Sequence, residues 1–226
     1  MDALQRNVII TKTTLKKLLG CTDDYAYTLL GRLVKQGRLK KIVKGKYTVH
    51  DDIYLVATNI YTPSYLSFLS CSYFKGYTEQ IINTVQIAVP VQARPIYFED
   101  YTIEFHKVAR KMFFGYEKIV YGDFFIFVAD DEKLLIDAIY FDGLMGNFDE
   151  VVKVFESVEP DIEKLVEYLQ SIGNKSIAKK VGFLLEKLKG FDISGRLDYK
   201  DKNIILLSSF MEGKKNDKKW QVKHDI

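Results

Sequence analysis

The sequence has little cysteine and little proline. Its two cysteines, Cys21 and Cys71, are too few for a disulfide framework and match no CxxC metal pattern. They fit a reducing compartment, where we expect both to be buried thiols. With four prolines and 14 glycines in 226 residues, collagen-like and low-complexity classes are excluded. The composition, 47% hydrophobic and 28% charged, is that of a globular protein.

Long apolar runs are also missing. The run Phe124–Ala129 has six residues, whereas a membrane-spanning helix needs about 20. The first ten residues, MDALQRNVII, contain no long apolar stretch and no cleavage site, so we expect no signal peptide. These patterns predict a cytoplasmic protein without a membrane partner.

Catalytic motifs are scarce. The three histidines, His50, His106 and His224, are scattered, and no HExxH or HxxxH spacing occurs. Neither a phosphate-binding glycine loop nor a G-x-S-x-G elbow is present. We therefore expect no enzyme activity, no catalytic residue, no metal site and no cofactor.

Clustered carboxylates leave a metal-dependent nuclease as the enzyme alternative. The clusters are Asp130, Asp131, Glu132 and Asp137, and Glu99, Asp100 and Glu104. In the first cluster, helix capping by Asp130 and a solvated helix face including Glu132, Lys133 and Asp137 explain the pattern better. We rank the nuclease last.

Charge is unevenly distributed along the chain. Residues 1–50 contain eleven Lys and Arg and three Asp, a net charge of +8, whereas the remainder has a net charge of −5. A compact basic unit is typical of nucleic-acid binding, although a solvated lysine-rich surface gives the same composition. The order of secondary-structure elements in this segment favours nucleic-acid binding.

Two helices are predicted in the basic segment. Thr11 is an N-cap candidate for Lys12–Leu19, and Gly20 stops that helix. Its predicted apolar face is Leu15, Leu18 and Leu19. Thr22 caps a second helix that runs to about Gln36 and ends at Gly37. Its predicted inward stripe is Ala26, Leu29, Leu30 and Leu33, with Val34 at the margin.

A hairpin follows the second helix. Arg38–Val43 and Tyr47–Val49 read as short strands around the glycine-containing turn at residues 44–46. Helix, tight turn, helix and hairpin is the order of a winged helix-turn-helix, whose second helix lies in the DNA major groove. The predicted DNA contacts are Thr22, Tyr25, Tyr27, Thr28, Arg32 and Lys35, together with Lys44 and Lys46 at the hairpin tip.

Asp23 and Asp24, in the first turn of the second helix, would lie close to DNA. Their carboxylates complement the helix dipole, and we favour that role over base contact.

The acidic remainder predicts a mixed domain. A helix is expected at Asp52–Ile60 and a buried helix at Pro63–Gly76. Predicted strands are Thr84–Val89, Ile96–Phe98, Tyr101–Val108 and Phe124–Val128. Further predicted helices are Asp130–Tyr140, Ile162–Ile172 and Ser176–Leu188.

The predicted fold class is α+β. A winged helix-turn-helix domain at residues 1–50 precedes a mixed α+β domain at residues 51–212, which has a small sheet and several helices. Residues 213–226 are predicted to be a frayed polar tail.

Four blocks in the acidic remainder resemble the AbiEi antitoxin family, in the same order along the chain. They are Pro63–Ser70, Gly76–Ile81, Phe127–Ala138 and Ala178–Glu186. Members of this family pair an N-terminal winged helix with a C-terminal antitoxin domain, and the resemblance covers nearly the whole chain. The sequence departs from the family pattern at Asp131, where a proline is usual, and at Lys75, where a histidine is usual.

The resemblance implies a DNA-binding autorepressor that is the antitoxin of a type IV toxin–antitoxin pair. Its operator would be its own promoter, at inverted repeats. The toxin would be a nucleotidyltransferase of the AbiEii family, and a stable complex with it is not implied.

An alternative remains from the residues themselves. The chain could be a one-component transcription factor whose second domain binds a small ligand or dimerises. Tyr65, Phe68, Tyr73 and Phe74 could line such a pocket, although core packing explains them as well.

Overall fold

The computed structural model describes residues 2–226, and its class is α+β, as predicted. The helices are α1 Asp2–Gln5, α2 Lys12–Leu19, α3 Asp23–Lys35, α4 Ile53–Ile60, α5 Phe68–Phe74, α6 Asp131–Tyr140, α7 Phe148–Ser157, α8 Ile162–Ile172 and α9 Lys175–Lys189. The strands are β1 Lys40–Val43, β2 Lys46–Thr48, β3 Tyr65–Leu66, β4 Thr84–Val89, β5 Ile96–Phe98, β6 Tyr101–Lys107, β7 Tyr116–Tyr121, β8 Phe124–Ala129, β9 Ile205–Leu206, β10 Lys215–Asp217 and β11 Val222–His224. None of the helices within this range has the length and hydropathy needed to cross a bilayer.

The chain divides into two compact units. The first comprises Met1–Leu66, Asn83–Val108 and Lys118–Phe127, and the second comprises Ser67–Ile82, Ala109–Glu117 and Val128–Ile226. The first fifty residues therefore share a unit with the segments at 51–66, 83–108 and 118–127.

Local capping defines α2 and α3. The hydroxyl of Thr11 accepts a hydrogen bond from the Thr14 amide at 3.1 Å, and Gly20 ends α2 with a left-handed backbone. Gly37, after α3, has a φ of 67°. Both helices have the predicted limits within one residue.

The small core of the basic segment is formed by one face of α2 and one face of α3, together with flanking residues. The buried cluster consists of Ile10, Leu15, Ala26, Leu30, Leu33 and Leu39. The predicted face of α2 is partly wrong, because only Leu15 is buried, whereas Leu18 is 40% and Leu19 54% exposed.

A hairpin follows α3, as predicted. Strands β1 and β2 pair antiparallel, and Ile10 forms an additional bridge with Tyr47. This bridge ties the chain before α2 to the hairpin, so that α2, α3 and the hairpin enclose the small core.

A six-stranded sheet has the order β5-β6-β4-β3-β8-β7. Strands β4 and β6 are parallel, whereas β5 pairs antiparallel with β6 and β3 antiparallel with β4. The predicted helix at Pro63–Gly76 is wrong in its first half, since Tyr65 and Leu66 form β3 and the helix begins at Phe68. Strand β7 was not predicted.

In the second unit α6 packs against α5, α7, α8 and α9, and all its residues from Glu132 to Ile139 are buried. Helix α7 was not predicted, although Asn147 caps it and Val151, Val154 and Phe155 have helical spacing. Because α6 is enclosed on every side, its charged side chains need partners inside the protein.

The prediction of a frayed tail is wrong. Residues 213–226 form β10 and β11, and β11 pairs parallel with β9. Trp220, 1% exposed, donates a hydrogen bond from its ring nitrogen to Glu186 at 2.6 Å. One buried aromatic side chain thus attaches a highly charged segment to α9.

Candidate nucleic-acid interface

Helix α3 presents a polar stripe on the side opposite its buried residues. The amide of Tyr25 donates to the hydroxyl of Thr22 at 3.4 Å, which starts the helix. Tyr25, Thr28, Arg32 and Lys35 are exposed at spacings of three and four residues, so they lie on one side. We call these four residues the α3 face. Tyr27, 73% exposed, lies at its flank.

The cations of the α3 face are available to an external anion. Within residues 2–226 neither Arg32 nor Lys35 has an acidic partner, and the same holds for Lys44, which is exposed in the hairpin turn. A phosphate could bind these three side chains without the loss of an internal ion pair.

Lys46 is the exception among the predicted contacts. Its ammonium group donates to the carbonyl of Ile60 and lies 4.6 Å from the centre of the Tyr61 ring. Burial lowers the pKa of Lys46. The prediction that Lys46 contacts phosphate is therefore corrected: its side chain is directed to the end of α4, and we remove it from the candidate interface.

Three other lysines of the basic segment, Lys12, Lys16 and Lys40, are paired. Lys12 and Lys16 both contact Asp23, and their hydrogen bonds lower the pKa of that carboxyl to about 2. Lys40 contacts Asp51 at 2.7 Å and Glu99 at 3.0 Å. The charge of +8 thus overstates the number of free cations in this segment.

In the basic segment, four cations that the sequence interpretation did not assign to the interface are also exposed and have no acidic partner within residues 2–226: Arg6, Lys17, Arg38 and Lys41. Their charge was visible in the sequence, but their lack of an acidic partner was not. Pairing depends on residues distant along the chain, as Lys40 and Glu99 demonstrate.

The carboxylate cluster of α6 is internal. Asp130 caps the helix, as predicted, by accepting from the Lys133 amide at 2.8 Å. The expectation of a solvated face is wrong, because Lys133 and Asp137 are fully buried and form an ion pair. The hydroxyl of Ser67 donates to Asp137 at 2.8 Å. Residues 2–226 contain no group of three or more His, Cys, Asp or Glu side chains arranged to hold a metal ion.

The aromatic residues proposed to line a ligand pocket do not share one environment. Tyr65 and Phe68 are fully buried, whereas Tyr73 is 38% exposed. A cleft of about 630 Å³ within the first unit has a different lining: Gln5, Arg6, Val49, His50, Asp123 and Phe124.

Comparison with known proteins gives no family assignment. No protein-family model matches the chain, and no curated protein matches its sequence. The resemblance to the AbiEi family stays a prediction.

Proposed function

We propose that the protein binds double-stranded DNA through the α3 face and the hairpin turn, and that it represses its own promoter from inverted repeats. The observation that carries this proposal is the exposure of Arg32, Lys35 and Lys44, none of which has an acidic partner among residues 2–226. In this proposal α2, α3 and the β1–β2 hairpin are a winged helix-turn-helix.

The chemistry of the α3 face suits a duplex. Arg32 offers a planar fork that can bind a guanine edge or a phosphate through two hydrogen bonds. The hydroxyls of Tyr25 and Thr28 can bond phosphates or bases, and Lys35 adds a point charge for a phosphate. Affinity would come mainly from the cations and would therefore depend on salt.

We further propose that the protein is the antitoxin of a type IV pair, with a nucleotidyltransferase-like toxin and without a stable complex. The resemblance to the AbiEi family supports this part. Its two departures from the family pattern contact each other: Lys75 lies 2.7 Å from Asp131. A cytoplasmic location belongs to the same proposal and agrees with the free thiols of Cys21 and Cys71.

A gel shift of the full chain on its own promoter, at two salt concentrations, tests DNA binding. We expect Arg32→Ala to weaken promoter binding about tenfold, and Lys35→Ala to reduce the salt dependence by about one phosphate contact. Arg110→Ala, an exposed arginine outside the basic segment, is the matched control and should bind like the parent. Equal, weak binding to promoter and random DNA would contradict the proposal.

Co-expression with a nucleotidyltransferase-like toxin tests the antitoxin part. Deleting residues 1–50 would cut through the first compact unit, so the full chain with Arg32→Ala and Lys35→Ala is the appropriate variant. We expect it to lose promoter binding and still protect cells. If neither it nor the parent protects, the antitoxin proposal fails while DNA binding stands.

A further inference from the structure

Two glycines, Gly31 and Gly182, lie in the middle of long helices. Packing against the rest of the chain explains the glycine at only one of these two positions. Glycine destabilises a helix interior relative to alanine. At Gly182 of α9 an added Cβ would lie 2.2 Å from the ring of Trp220, so a side chain is excluded by packing. At Gly31 of α3 an added Cβ would meet no atom of residues 2–226 within 4 Å. Packing within the chain therefore does not require glycine at position 31.

Gly31 is exposed next to the α3 face. It directly precedes Arg32, and its helical neighbours at three and four residues include Thr28 and Lys35. The main chain at Gly31, which no side chain of the described residues covers, therefore lies close to the hydroxyl of Thr28 and the cations of Arg32 and Lys35. An anionic partner fits this surface, because neither Arg32 nor Lys35 is neutralised within residues 2–226.

We propose that Gly31 is the position at which the sugar–phosphate backbone of double-stranded DNA lies against the main chain of α3. This inference rests on the proposed DNA-binding function and adds a steric requirement to it. Without a Cβ, the helix can approach the duplex closely enough for Thr28, Arg32 and Lys35 to reach it together. Charge complementarity selects a polyanion as the occupant.

Two full-length variants, Gly31→Ala and Gly31→Lys, test the inference with the promoter duplex as the probe. We expect Gly31→Ala to raise the melting temperature by about 2–4 °C and to weaken binding at least tenfold. Gly31→Lys adds a positive charge, so a merely basic surface would bind DNA more tightly. If the DNA backbone instead lies against the main chain of α3, the lysine side chain should weaken binding despite its positive charge.

Gly143→Ala is the matched control, because Gly143 also has open space around its missing Cβ and lies outside the basic segment. It should leave DNA binding unchanged. If Gly31→Ala binds like the parent, or Gly31→Lys binds more tightly, the inference is overturned. If Arg32→Ala loses promoter binding in the same assay, the proposed DNA-binding function still stands. Absence of promoter binding by the parent chain would overturn both.

Discussion

Lysine has opposite roles in α3 and in the second unit. Lys133 and Lys179 are at most 1% exposed, and each contacts a carboxylate, Asp137 and Asp201 respectively. On α3, by contrast, Lys35 is exposed and has no acidic partner within residues 2–226. A count of charges treats these lysines alike, whereas their surroundings separate cations that hold the fold from cations that are free to bind a partner.

The physical basis of this difference is solvation. A buried ammonium group has lost its water and depends on its partner, so that removing one member of a buried pair leaves an uncompensated charge. An exposed ammonium group keeps its water and contributes little to stability. Two substitutions test this comparison of lysines and one tests the corresponding contrast between Gly182 and Gly31; they follow in order of decreasing expected effect.

The largest effect is expected from Lys133→Met. It leaves the fully buried carboxylate of Asp137 without its ammonium partner, and we expect the free energy of unfolding to fall by about 3–5 kcal/mol. Urea denaturation measures this loss. The control Lys35→Met, on the α3 face, should change stability by less than about 0.5 kcal/mol. Equal losses in the two variants would remove the distinction between the two groups of lysines.

A smaller loss is expected from Gly182→Ala. The new methyl group would displace the ring of Trp220, and such overpacking costs about 1–3 kcal/mol. Trp220 is the only tryptophan of the chain, so its fluorescence reports the displacement as a shift to longer wavelength. Gly31→Ala, without a neighbour to displace, should leave the emission unchanged. An increase in stability for Gly182→Ala would show that the contact with Trp220 does not require glycine.

The smallest effect is expected from Asp23→Asn. Hydrogen bonds from Lys12 and Lys16 hold the pKa of Asp23 at about 2, below its value of about 4 in an unfolded chain. The carboxylate therefore stabilises the fold above about pH 4, and this contribution is lost as the pH falls through 2. Parent and variant should differ slightly in melting temperature at pH 7 and converge near pH 2.

High salt should reduce the difference at pH 7, because the three side chains are exposed. The same variant releases Lys12 and Lys16, so we expect tighter DNA binding. A stability difference that persists at pH 2 would contradict the assigned role of Asp23.

The helices around the candidate interface could be predicted because their signals are local. Thr11 and Thr22 accept hydrogen bonds from amides three residues further along the chain, and the left-handed positions at Gly20 and Gly37 need no side chain. The apolar stripe of α3 follows from its spacing alone. These features identified the α3 face and its exposed polar residues.

Side-chain environments that depend on distant residues were predicted poorly. The acceptor of Lys46 is the carbonyl of Ile60, 14 residues further on. The buried pair of Lys133 and Asp137 has the i, i+4 spacing of a solvated helix face, and only the helices packed around α6 enclose it. In the apolar stretch Pro63–Gly76, the pairing of Tyr65 with Ala88 converts the predicted start of a helix into β3.

The sequence alone determined the α+β class, the limits of α2 and α3, and which side of α3 is apolar, since caps and helical periodicity act within a few residues. Tertiary structure alone decided which cations are paired, which polar residues are buried, and why Gly182 needs its glycine while Gly31 has open space around it. Desolvation, ion pairing and close packing depend on groups that only folding brings together.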